Sequence, residues 1–188
     1  MSVVGVLLKN RRAGEAKLAW NLPNLSAPET LVVTSEAFGD GEAIPAEHAA
    51  KRAGGQNLSP QLAWTAPPEG TAELLLVVED ADVPMPRPFV HCLALIEPQV
   101  RELPSGGLAA RDPAAGVRVL RSGVGRGYLG PEPIKGHGAH RYTFQLFALA
   151  TAAAGGEVDV EQARPRAVLS SVSGRVLAKG RLTGLYER

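Results

Sequence analysis

Residues 74–78 read Leu-Leu-Leu-Val-Val, apolar at every position, and Glu79-Asp80-Ala81-Asp82-Val83-Pro84 follows at once. A strand with one wet face alternates polar and apolar side chains, so an unbroken apolar run belongs to a strand covered on both faces. The chain must therefore sandwich this strand between two layers. It must also deliver two acids, two residues apart, to the strand's end, where a cleft can form.

Other short runs suit strands at 31–35, 89–96 and 142–150, apolar or β-branched and bounded by turn residues. Gly 21 and Pro 15 punctuate the whole chain instead of marking one linker. A helix is expected to begin near Pro165 and run through Val168, Leu169, Val172, Val176 and Leu177, with Gly180 at its end. Residues 182–186 then form a closing strand. The expected fold is mostly β, an antiparallel sandwich with helical additions. Residues 1–30 read as an extension packed on the domain formed by 31–188, through Leu18, Trp20 and Leu25; Trp64 reads as core.

Lys+Arg 20 against Asp+Glu 19 leaves almost no net field, which argues against nucleic acid as a partner. Cys92 is the single cysteine, so no internal disulfide ties the fold to an oxidising compartment. Near the N-terminus the apolar residues precede Lys9, Arg11 and Arg12, the reverse of a secretory signal, and no stretch approaches the roughly 20 apolar residues of a membrane helix. A cytoplasmic protein without a transmembrane segment is expected.

Three segments combine polar chemistry with turn residues. Asp80 and Asp82 end the buried strand, His91 enters the next one after Arg87-Pro88-Phe89-Val90, and a Gly/Pro loop from Tyr128 leads into His140-Arg141-Tyr142. Two imidazoles can donate to phosphate oxygens, an acid beside them fixes the tautomer, and a Gly/Pro loop can leave backbone N–H groups free to line a pocket. Asp-x-Asp with two histidines is also a permissive metal set, but the spacing matches no compact metal motif, so neither metal nor cofactor is expected. His91 and Cys92 are strand neighbours whose side chains should point to opposite faces, which prevents a thiolate–imidazole pair. Ser59 precedes a proline and lacks a base. Water activation by an acid–histidine pair, giving slow ester hydrolysis, is the enzymatic alternative. His48 and His137, in polar or glycine-rich surroundings, read as exposed.

Taken with Gly55-Gln56-Asn57-Leu58-Ser59-Pro60 and Leu62-Ala63-Trp64, these segments resemble the phosphatidylethanolamine-binding protein family, in its bacterial Raf-kinase-inhibitor-like branch. Asp-x-Asp-x-Pro, a strand histidine, a Gly-Pro loop and His-Arg-Tyr occur in order, and the likeness spans roughly residues 31–188. The resemblance implies a central antiparallel sheet flanked by a smaller one, with C-terminal helical structure and a small pocket for phosphate, carboxylate or phosphoryl headgroups. Asp80, Pro84, His91, His140 and Tyr142 fall on pocket positions, Asp82 on a second acid, and Gly130, Pro131 and Pro133 on the pocket rim. Phe89 stands where many members have tryptophan, and Arg141 on a buried cation that braces neighbouring acids. The resemblance further implies a cis Arg87–Pro88 bond and a homodimer. Some relatives inhibit a kinase or a peptidase through protein contacts. Glu132, Ile134 and Cys92 depart from the family pattern, and a carboxylate at 132 would repel an anion.

Overall fold

The computed structural model describes residues 3–153 and 158–188. In chain order the helices and strands are α1 (Val3–Leu8), β1 (Val33–Thr34), β2 (Leu62–Trp64), β3 (Glu73–Asp80), β4 (Phe89–Ile96), β5 (Glu102–Leu103), β6 (Val117–Val119), β7 (His140–Leu149), α2 (Pro165–Ser171) and β8 (Val176–Tyr186). A five-stranded antiparallel sheet has the order β6-β4-β3-β7-β8, and a three-stranded antiparallel sheet the order β1-β2-β5. The fold is mostly β, a central antiparallel sheet flanked by a smaller one, as the sequence implied.

The unbroken apolar run explains the layering. Leu74, Leu76 and Val78 of β3 enter one core cluster with Cys92, Ala94, Tyr142, Phe144 and, from the small sheet, Val33, Leu62, Trp64 and Leu103. Leu75 and Val77 enter the opposite cluster with Leu93, Leu95, Phe147, α2's Val168 and Leu169, and the N-terminal Leu18, Trp20 and Leu25. Each fully buried Leu or Val of this run contributes about 1.5–3 kcal/mol of transfer free energy.

The N-terminal segment covers the sheet's outer face because two buried polar side chains meet its backbone. Glu79 Oε2 accepts the Ala19 N–H at 2.7 Å, and Gln145 Oε1 accepts the Trp20 N–H at 2.6 Å. Gln145 also donates to Glu79 Oε2, at 2.9 Å. Burial pushes the Glu79 carboxyl above its ordinary range, and the Arg166 guanidinium, 2.5 Å from Oε1, is the main opposing influence.

The helix expected over 165–177 stops at Ser171, and Val176 and Leu177 begin β8, paired with β7. Their apolar spacing suits a helix face equally well, and pairing with the long β7 edge decides the matter. Gly180 is therefore mid-strand and not a helix end: a Cβ there would lie 2.2 Å from the Leu31 carbonyl oxygen, so close approach of the chain is what requires glycine. No peptide bond among the described residues is cis, so Arg87–Pro88 is trans, the form X–Pro bonds favour by about 0.5–1 kcal/mol.

Candidate functional site

β4, β3 and β7 are neighbours in the large sheet, and their registers bring the chemistry-bearing residues to one corner. Asp80 pairs with Phe89 on one side and with Tyr142 on the other. Along β3, Asp80 continues the face of Leu74, Leu76 and Val78; along β7, His140 continues the face of Tyr142 and Phe144.

His91 reaches that corner through an irregularity. Val78 pairs with Cys92 but Glu79 pairs with Val90, which leaves His91 as the extra residue of a β-bulge. Cys92 joins the cluster between the sheets, and His91 sets its ring 5.1 Å from Tyr142 of that cluster, edge to face. The strict alternation expected for His91 and Cys92 is thus cancelled by the bulge, and the two side chains share a face. A thiolate–imidazole pair is still absent for another reason, because burial pushes the Cys92 thiol up to about 12.

The strand ends and two loops enclose a cavity of about 320 Å³. Of the residues singled out from sequence, Asp80, Pro84, Phe89, His91, Gly130, Pro133, His140 and Tyr142 line it. Asp82 and Pro131 do not. Asp82 is fully buried behind the wall, where its carboxylate accepts from the Arg141 backbone N–H (2.8 Å), Arg141 Nε (2.8 Å) and Arg12 Nη1 (2.7 Å). Pro131 turns away, its carbonyl accepting from Ala50 N–H at 3.0 Å. Arg141 braces Asp82 and Glu15 as the resemblance implied, but it does so half-exposed and not as a buried cation, because Glu15 lies on the solvent side.

The loop offers fewer donors than expected. Pro131 and Pro133 have no N–H, and the Gly130 N–H donates to Asn57 Oδ1 at 2.8 Å. Asn57, whose backbone has φ 60°, also donates from Nδ2 to Tyr128 O, so the 55–60 turn buckles the rim loop in place. Gly130 must be glycine, since a Cβ would lie 2.3 Å from the His48 carbonyl oxygen.

The imidazoles are also not equivalent. His91 Nδ1 lies 2.7 Å from the Leu129 carbonyl oxygen, an acceptor only, so Nδ1 carries the proton and Nε2 of the neutral ring is an acceptor. Burial, the largest influence, pushes this ring below the ordinary imidazole value; the Asp80 charge opposes that. His140 has no nitrogen left for a ligand: Nδ1 is 2.7 Å from Asp80 Oδ2 and Nε2 is 2.6 Å from His137 Nδ1. Two imidazole donors were expected from the sequence; neither ring has a free N–H to offer a ligand. The Tyr142 hydroxyl, by contrast, is buried beside Asp80 and the Glu132 backbone without a well-formed hydrogen bond to either, and burial together with the Asp80 charge pushes its ionisation well above the ordinary phenol range.

His48 and His137, read as exposed, are both buried. His48 Nδ1 bonds the Leu58 carbonyl at 3.0 Å, and His137 sits behind His140. The i, i+3 spacing of His137 and His140 was the available signal for the second; its partner at Leu8 is too distant in sequence to read. Outside the cavity, a groove of about 670 Å³ adjoins it across Met85 and Phe89, with Arg87, Arg121, Arg164 and Arg166 among its walls and no carboxylate. No group of three or more His, Cys, Asp or Glu side chains able to hold a metal occurs among the described residues. No helix there is long and apolar enough to cross a membrane.

The chain as a whole has counterparts among known proteins. The profile described as phosphatidylethanolamine-binding protein matches residues 34–187. A UPF0098 protein of Aquifex aeolicus is 34% identical over 158 residues, 83% of this chain and 88% of its own length. LppC of Mycobacterium tuberculosis, named as a candidate lipoprotein, is 36% identical over 165 residues, 86% of this chain and 74% of its own. The crystal structure of Escherichia coli YbcL, titled as a member of the mammalian PEBP family, superposes with a TM-score of 0.75 at 28% identity, covering 84% of this chain and 98% of that one. The profile takes in every strand of the large sheet and all the residues around the cavity, and so the chain belongs to the phosphatidylethanolamine-binding protein family.

Proposed function

We propose that this chain is a binding module for a small oxyanion that brings its own proton, such as a monoanionic phosphate, a phosphate monoester or a carboxylic acid. The observation that carries the reading is the Tyr142 hydroxyl, buried in the cavity without a well-formed hydrogen bond although Asp80 and the Glu132 backbone lie beside it. A buried polar group left unpaired costs on the order of 1–3 kcal/mol, and a ligand oxygen removes that cost by accepting from it. His91 Nε2 complements it as an acceptor for the ligand's O–H. Asp80 orients His140, and Gly130 and Pro133 shape the rim.

The charges around the cavity support a monoanion over a dianion. Asp80 lies in the wall and Glu132 on the rim, with Arg188 Nη1 3.7 Å from Glu132 Oε1. The arginine-walled groove next door draws anions toward the entrance. A volume of about 320 Å³ suits a headgroup and not a whole lipid. We further propose a homodimer and, since the one cysteine is buried and unbonded, a cytoplasmic setting.

The test is a titration with inorganic phosphate and with phosphoethanolamine, followed by the NMR shifts of His91 and Tyr142. Both side chains should respond saturably. Shifts confined to other parts of the chain would refute the site.

A further inference from the structure

We infer that His137 and His140 together carry one proton more than two neutral imidazoles, and that this proton fastens the N-terminal segment to the back of the cavity. Three contacts run in series. Asp80 Oδ2 lies 2.7 Å from His140 Nδ1, His140 Nε2 lies 2.6 Å from His137 Nδ1, and His137 Nε2 lies 2.8 Å from the Leu8 carbonyl oxygen. The Arg11 carbonyl oxygen is 3.2 Å from the same Nε2.

Both ends of this series are acceptors, a carboxylate and an amide carbonyl. Each contact needs one proton between its two heavy atoms, so three contacts need three. Two neutral imidazoles have one N–H each, which makes two. The third makes the pair an imidazole–imidazolium couple. Asp80 balances its charge, because the carboxylate's other oxygen already accepts the Asp82 N–H at 2.7 Å, an arrangement that suits the ionised form. The unit as a whole is neutral, which is how three groups no more than 2% exposed tolerate burial.

Nearby charges do not replace that proton. Arg12 and Arg141 are engaged with Asp82, and Glu132 pairs with Arg188. Lys135 is in the loop before His137, against α1: a Cβ on the buried Gly5 would lie 2.1 Å from the Lys135 carbonyl oxygen. His91, across the cavity, is held neutral by burial.

Removing the third proton leaves one contact with lone pairs face to face and a net negative charge in the interior. The contact that yields is the outer one. Asp80 and His140 are fixed in β3 and β7, whereas the Leu8 carbonyl ends the short α1, whose Val3, Val6 and Leu7 are 75%, 53% and 77% exposed; further along, Ala13 N–H to Val83 O and Gly14 N–H to Ala81 O, both 2.9 Å, hold the chain independently of the histidines. The latch is closed while the third proton is present and opens as pH rises. Opening also strips Asp80 of its counter-charge, which weakens anion binding; that consequence rests on the function proposed above, and the proton count does not.

The test is nitrogen-15 NMR of the histidine rings in the full labelled chain from about pH 6 to about pH 10. Three of the four ring nitrogens of His137 and His140 should be protonated near neutrality. Loss of one on raising the pH should coincide with loss of amide hydrogen-exchange protection at Lys9 and Arg11, whose N–H groups donate to the Val6 and Leu8 carbonyls, while Ala13 and Gly14 stay protected by Val83 and Ala81, after correction for the intrinsic rate. Only two ring protons near neutrality would overturn the inference, and so would protection of Lys9 and Arg11 that persists through the deprotonation step. His137→Phe should leave Lys9 and Arg11 unprotected at every pH; if that variant does not fold, the wild-type titration decides alone. Inorganic phosphate affinity should fall about tenfold over the same interval. Absence of any phosphate binding would count against the cavity's function while leaving the proton count intact.

Discussion

Arg141 holds Asp82 in a two-pronged pair, Nε to Oδ2 at 2.8 Å and Nη2 to Oδ1 at 2.6 Å, directly behind the wall of the cavity. The second acid of the Asp-x-Asp motif thus meets no ligand and instead fixes the strand end that carries Asp80. Burial would raise the Asp82 carboxyl, but the hydrogen bonds from Arg141 and Arg12 outweigh it and bring the group from 3.8 to about 2. A carboxylate depressed in the folded state stabilises above its unfolded value, and that contribution disappears as pH falls through the folded one. Asp82→Asn should therefore cost about 2 kcal/mol at neutral pH, discounted because both arginines are partly exposed. Urea midpoints should show that the wild type loses this advantage between about pH 4 and about pH 2, with the variant flat over that range.

Tyr142→Phe separates binding from folding. The hydroxyl makes no well-formed hydrogen bond inside the protein. Deleting it should leave the urea midpoint unchanged or raised, because a buried unsatisfied group is removed. The same change should weaken inorganic phosphate binding by about 5- to 10-fold, read by calorimetry. Unchanged affinity would remove Tyr142 from the site.

The strands around the cavity were legible because their signals are local. The unbroken run at 74–78 and the alternation-poor β4 and β7 announce themselves by composition, and the chemistry sits where those runs end. What was not legible is what depends on partners far along the chain. Val176 and Leu177 continue an apolar stripe that suits a helix until the β7 edge is present to pair with them. His137 lies in Gly-His-Gly, which reads as solvent loop, and its contacts with His140 and with the carbonyl of Leu8, 129 positions away, make it a core residue. The bulge at His91 leaves no mark in the sequence of β4, yet it decides which face the ring takes.

The acceptor character of His91 makes a prediction about ligand chemistry. With Nδ1–H engaged by Leu129, Nε2 of the neutral ring can only accept. A ligand with an ionisable O–H, such as methyl phosphate, should bind more tightly as pH falls through roughly 6, where the monoanion takes over from the dianion. Dimethyl phosphate carries the same single charge but no O–H, and should bind at least about tenfold more weakly near neutrality. Equal affinities for the two esters would mean that His91 does not accept a proton from the ligand.

Arg166 and Glu79 are coupled across the sheet's outer face, and a double-mutant cycle will measure how strongly. Glu79 is fully buried, and its Oε2 receives Ala19 N–H and Gln145 Nε2 while Oε1 faces the guanidinium. Arg166→Met leaves that carboxylate without a counter-charge and should cost about 3 kcal/mol at neutral pH. Glu79→Gln keeps an acceptor for Ala19 and should cost less. Once Glu79 is an amide, removing Arg166 no longer strands a charge, so the double variant should be more stable than the sum of the single losses implies, by at least about 1 kcal/mol. The pH dependence supplies the second check. Burial already raises the Glu79 carboxyl, and removing Arg166 raises it further, so the folded Arg166→Met protein binds a proton that the unfolded chain releases. A group raised in this way contributes stability at low pH that is lost as pH rises. The deficit of Arg166→Met relative to wild type should therefore shrink on acidification toward about pH 5, whereas a deficit caused only by lost packing would stay constant.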